Sequence, residues 1–72
     1  MDALYLQSRF RLTAAETRVA LGIARGESLA AIAKMYGISV ETARTHLKAV
    51  FTKTGTHRQA ELAVLLGRLM KL

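Results

Sequence analysis

Apolar side chains recur along this chain at helical spacing, and four sets of them define four faces. Ala15, Val19 and Ile23 make the first, and Leu29, Ile32, Ala33 and Tyr36 the second. Ala43, Leu47, Val50 and Phe51 make the third, with His46 at its edge. Leu62, Ala63, Leu66, Leu69 and Met70 make the fourth. The pattern predicts helices over about 14–25, 29–36, 40–54 and 57–71. Polar residues mark the starts. Thr13 with Glu16 has the spacing of a capping box, in which the Thr hydroxyl accepts from the Glu backbone N–H and the Glu side chain reaches back. Ser28 and Ser39 sit where an N-cap belongs. Thr56 with Gln59 suggests a second box. Gly26, Gly37 and Gly55 sit where left-handed helix stops belong. Gly22 lies inside the first helix at a cost of about 1 kcal/mol against Ala, and would allow a close helix contact. Gly67 weakens the last turn of the fourth. Residues 1–11 are expected to be a short helix or an extended lead-in, a linker to a domain over 12–72. The fold class expected is all-α, a small four-helix bundle containing a helix-turn-helix.

That unit is predicted between the second and third helices, where only Gly37, Ile38 and Ser39 intervene. A three-residue turn with Gly joins two helices at a steep angle. Ala33 is small where the helices must cross, and Ile38 can plug the space between them. On the third helix Glu41, Arg44, Thr45, Lys48 and Thr52 occupy the stripe opposite the apolar one. This stripe is short, hydrogen-bonding and cationic near the helix start. The major groove of DNA admits one α-helix, whose N-terminal residues reach base edges. Arg and Lys donate to guanine, and Thr offers a hydroxyl or a methyl. Ser28 and Ser39 each open a helix whose free N–H groups suit phosphate.

Charge changes the picture in the same direction. Eleven Lys and Arg stand against five Asp and Glu among 72 residues, a net charge of +6. No acid falls between Thr42 and Arg58, where Arg44, Lys48 and Lys53 also lie. Such a distribution suits a polyanion. Cysteine is absent, which excludes disulfides and thiolate metal sites. His46 and His57 are too few and too far apart for a metal cluster, so no metal or cofactor is expected. No Ser-His-Asp set, paired carboxylate or phosphate-cradling loop stands out, and no enzymatic reaction is assigned. A chain this short buries only about 60% of its unfolded surface, which leaves oligomerisation as its remaining support. No segment reaches the ~18 apolar residues of a membrane span. The N-terminus lacks the basic start and apolar run of a signal peptide. The cytoplasm is the expected compartment.

Several residues carry a resemblance together. They are Leu12 and Thr13 with Glu16, Gly26 followed by a polar cap, and Ile32 with Ala33. Ile38 with Ser39, Thr42, His46 with Leu47, and Lys53 with Gly55 complete the set. Over about 12–70 the chain resembles the LuxR/FixJ-type helix-turn-helix domain of bacterial transcription regulators. The resemblance implies a four-helix domain that binds double-stranded DNA as a dimer, with the third helix in the major groove and the fourth at the dimer contact. By position it implies base contacts for Arg44, Thr45 and Lys48, and phosphate contacts for Thr42 and Lys53. It also implies an upstream sensor or receiver domain and RNA polymerase as partners. The chain departs from the family at Ala43, where a branched residue is usual, and at Thr54, where Leu is common. Lys53 to Arg58 is one residue shorter than the family's spacing. That leaves open whether the family's ion pair from the first-helix Glu forms between Glu16 and Arg58.

Glu61, Val64, Leu65, Arg68 and Leu72 form a second stripe on the fourth helix. Half apolar, with one acid and one base, it suits a two-fold contact in which Glu61 meets Arg68 of a second copy. The plainer reading is that Val64 and Leu65 are scattered surface apolars. His46 is expected inside and hydrogen-bonded, His57 solvated, and Tyr36 and Phe51 in the core. Three rival functions remain. A protein-interaction module would use the basic face on an acidic partner. A sigma-factor-like promoter-binding domain has a similar turn, but the fourth helix argues against it. Capping boxes and glycine stops argue against a cationic membrane binder.

Overall fold

The computed structural model describes residues 3–70 and is all-helical among them. Five helices follow in order: α1 (Ala3–Phe10), α2 (Ala14–Ala24), α3 (Leu29–Tyr36), α4 (Val40–Thr54) and α5 (Gln59–Met70). The second, third and fourth of these are the first three helices that periodicity predicted. Thr13 closes its capping box: its hydroxyl accepts from the Glu16 N–H at 3.1 Å, and its own N–H donates to Glu16 Oε1 at 2.9 Å. Ser28 caps α3 through the Ala31 N–H, and Ser39 caps α4 through the Thr42 N–H, each at 3.0 Å.

The helix-turn-helix is α3, the turn 37–39 and α4. Gly37 adopts φ 67, a left-handed conformation that costs a residue without Cβ nothing. This lets the Ile38 N–H donate back to the Ala33 carbonyl at 3.0 Å, so the chain leaves α3 and re-enters a helix within three residues. Gly22 supplies the other special contact. A Cβ there would lie 2.6 Å from both Cδ1 and Cγ1 of Ile32, so α2 and α3 approach more closely than any side chain would permit.

Helix α2 touches all four other helices. Around it Leu6, Leu12, Val19, Ala20, Ile23, Ile32, Leu47, Val50, Leu62 and Leu66 form one core. Phe51, Ala63 and Met70 pack against that core, as the apolar faces require.

Two expectations need correction. The first concerns residues 3–10, left open by the sequence between a short helix and an extended lead-in: among the described residues there are five helices, the four that periodicity predicted and this one. Residues 3–10 form α1, because Leu6 is fully buried in the common core and Phe10, one turn on, packs against it. Eight residues with so short an apolar pattern do not announce themselves by periodicity. Helix α1 ends at Arg11, whose φ of 57 lies in the left-handed region. That costs a non-glycine residue about 1 kcal/mol. The second concerns the start of α5. Thr56 forms no capping box with Gln59. Its hydroxyl is buried and shares a 2.9 Å hydrogen bond with the Thr54 hydroxyl. The orphan N–H of His57 donates to Glu61 Oε1 at 2.7 Å instead, and the helix opens at Gln59. Gly67 does not interrupt α5. Lys71 as its last residue and Leu72 on its second stripe lie outside the described residues.

Candidate nucleic-acid interface

Helix α4 is sorted into two faces by burial. Ala43 and Val50 are fully buried and Leu47 nearly so. Burial of this stripe, at about 25 cal/mol per Å² of apolar surface, holds the helix against α2 and α3. Glu41, Thr42, Arg44, Thr45, Lys48 and Thr52 are all exposed. The core therefore presents the polar stripe to solvent at a fixed angle.

Each polar side chain on that stripe has a defined hydrogen-bonding state. The Ser39 hydroxyl, which accepts from the Thr42 N–H, lies 3.0 Å from Thr42 Oγ1 and donates to it. Thr42 thus keeps its own hydroxyl proton for an outside acceptor. Arg44 Nη1 pairs with Glu41 Oε1 at 3.0 Å, with the Glu41 side chain 85% exposed. Thr45, an exposed residue, donates from Oγ1 to the Glu41 carbonyl at 3.1 Å, which leaves its hydroxyl oxygen able to accept. Lys48 makes no ion pair among the described residues.

Lys53 is placed differently. It lies in the last turn of α4, and its ammonium donates to Glu16 Oε1 at 2.6 Å and to the Arg11 carbonyl at 3.2 Å. Glu16 is therefore paired with Lys53, and no ion pair joins it to Arg58. The Lys53 hydrogen bond is the main reason that the Glu16 carboxyl sits below its ordinary pKa of 4.5. Burial opposes this, and the Thr13 backbone N–H assists it. The structure thus gathers Thr42, Arg44, Thr45 and Lys48 on one open face and puts Lys53 at the far end of the helix, in a brace between α1, α2 and α4.

Beside α4 lies a cleft of about 70 Å³ lined by Ala15, Arg18, Val19, Tyr36, Ile38 and His46. His46 is half-buried there and its side chain makes no hydrogen bond among the described residues, contrary to the expectation of a bonded inner histidine. Tyr36 is 38% exposed rather than in the core, and the Arg18 guanidinium lies 5.7 Å from its ring centroid. This contact was not readable from helical spacing, since Arg18 and Tyr36 belong to different helices.

On α5, Leu62 and Leu66 are fully buried, Val64 is 57% exposed, and Leu65 is half-buried. Glu61 turns back to cap its own helix. Arg68 is exposed and has no ion pair among the described residues.

A buried-backed helix with an open polar and cationic face, entered through a three-residue glycine turn, defines a helix-turn-helix DNA-binding domain. The family model GerE, described as bacterial regulatory proteins of the luxR family, matches residues 11–66. The chain belongs to that family. It is a DNA-binding domain of the kind found in transcription regulators, and domains of this family are not enzymes. No curated protein and no solved structure matches the chain. Among the described residues no helix is long and apolar enough to cross a membrane.

Proposed function

We propose that this domain reads a specific double-stranded DNA sequence by inserting the start of α4 into the major groove, and that two copies bind a two-fold site through α5. The observation that carries the reading is the division of α4: Ala43, Leu47 and Val50 are sealed in the core while Arg44, Thr45 and Lys48 stand open over its first turns. Arg44 and Lys48 donate to guanine O6 and N7, and the methyl of Thr45 meets a thymine methyl. Thr42 gives its free hydroxyl proton to a phosphate oxygen. Lys53 spends two of its three N–H groups on the fold, so at most one reaches a phosphate. Val64, Leu65 and Arg68 form the contact between copies, with Glu61 free to exchange its own helix cap for the partner's Arg68. An upstream sensor or receiver domain and RNA polymerase complete the reading, in the cytoplasm.

Selection from a random double-stranded DNA pool tests it. The expected product is an inverted repeat whose affinity falls with salt at a slope of about −0.9 per neutralised phosphate. A pool that shows no enrichment, with affinity that only vanishes as salt rises, overturns sequence reading and leaves a general polyanion surface.

A further inference from the structure

The DNA-facing stripe of α4 holds one acid, Glu41, and that acid holds Arg44. A carboxylate on this face repels every phosphate that approaches it, so it opposes the sequence-independent part of binding. Its exposed position in the first turn also suits the helix dipole, which would account for an acid here without any DNA. The Arg44 contact adds something that the dipole does not require.

We infer that Glu41 is a specificity-determining residue: it aims Arg44 and, on DNA, accepts a hydrogen bond from the N4 amino group of a cytosine next to the guanine that Arg44 reads. This rests on the proposed seating of α4 in the major groove. The pair is joined through one oxygen and one nitrogen only, Glu41 Oε1 and Arg44 Nη1, 3.0 Å apart. A carboxylate has about four lone-pair directions and a guanidinium five N–H donors, so both keep capacity for base edges while they remain joined. Three residues along a helix advance about 4.5 Å. Stacked bases advance about 3.4 Å, so Glu41 and Arg44 address neighbouring base pairs. Cytosine N4 is the major-groove donor that suits a Glu, as guanine O6 and N7 are the acceptors that suit an Arg. The Thr45 hydroxyl proton is committed to the Glu41 carbonyl, so Thr45 does not occupy the Glu41 carboxylate that would receive that amino group. An opposing phosphate gains nothing from Glu41, while the right base does. The residue therefore separates specific from non-specific binding by penalising the latter.

The test repeats the DNA selection with Glu41→Ala and Glu41→Gln beside the wild type, with helix content checked by circular dichroism. Expected is a wild-type motif with adjacent guanine and cytosine. In E41A the cytosine preference falls roughly tenfold, the guanine preference weakens, and affinity for unrelated DNA rises. Glutamine, which keeps an acceptor but no charge, retains part of the cytosine preference and also binds unrelated DNA more tightly. A motif that survives E41A unchanged, with only a lower melting temperature, assigns Glu41 to helix stability and overturns this inference alone. A wild-type chain that enriches no motif overturns the seating of α4 and this inference with it.

Discussion

The ammonium of Lys53 reaches across three elements at once. It neutralises Glu16, whose side chain is only 10% exposed, and it satisfies the carbonyl of Arg11, a residue held in left-handed backbone. Replacing it with Met leaves a nearly buried carboxylate with the Thr13 cap alone, which costs about 1–3 kcal/mol. Urea unfolding of Lys53→Met at neutral pH should show that loss. The pH dependence has a definite sign. Glu16 has a folded pKa below its unfolded one. Its contribution is therefore complete above its ordinary value of 4.5 and disappears as pH falls through the lower folded value. The urea midpoint of the wild type should accordingly drop more steeply between about pH 5 and 3 than that of Glu16→Gln. Lys48 stands at the other extreme, open and without an ion pair. Lys48→Ala should cost about 1–3 kcal/mol on the specific site and relax base choice at one position. Equal weakening on all sequences would mark it as a phosphate contact. The exposure of Lys48 was legible, because helical spacing alone puts it opposite Leu47 and Val50. The partner of Lys53 was not, because Glu16 lies 37 residues away and no local pattern connects them.

At the scale of elements, what the sequence shows well is what closes within one turn. The Thr13 box and the Ser28 and Ser39 caps each use a bond three residues long, so residue type at a fixed offset predicts them. Thr56 had the same offset from Gln59 and failed, because its hydroxyl was buried against Thr54. Helix α1 was open between helix and lead-in, since it is held by the one fully buried Leu6 rather than by a long stripe. Gly22 ranks highest among element contacts. Its replacement by Ala gains about 1 kcal/mol of helix propensity. The new Cβ, however, would sit 2.6 Å from two carbons of Ile32, which is fully buried and cannot move freely. Overpacking of this kind costs about 1–3 kcal/mol. Because α3 must shift, the clash wins. Gly22→Ala should lower thermal stability and weaken DNA binding together, measured by calorimetric melting and by titration of the selected site.

For the molecule as a whole, the net charge of +6 gives attraction to DNA, and one core gives that charge a direction. With α4 packed on α2 and α3, and α5 packed on α2, the proposed DNA face and the proposed contact between copies belong to one packed body. Val64 is 57% exposed, so Val64→Glu leaves the fold intact while placing like charges against each other across a two-fold axis. Titration of a two-fold site should then show half-sites filling independently, with unchanged urea stability. Half-sites that still fill together would place the interface elsewhere than on α5.

By itself the sequence determined that the chain is helical, where α2, α3 and α4 lie, how they are capped, and which face of α4 is polar. All of these follow from interactions between residues no more than about one turn apart. Only the tertiary structure decided that α1 docks through Leu6, that α2 and α3 close to the distance Gly22 allows, and that Lys53 serves the fold through Glu16 and Arg11. These contacts join residues brought together by burial, and burial rewards any arrangement that removes apolar surface from water, whatever the separation along the chain.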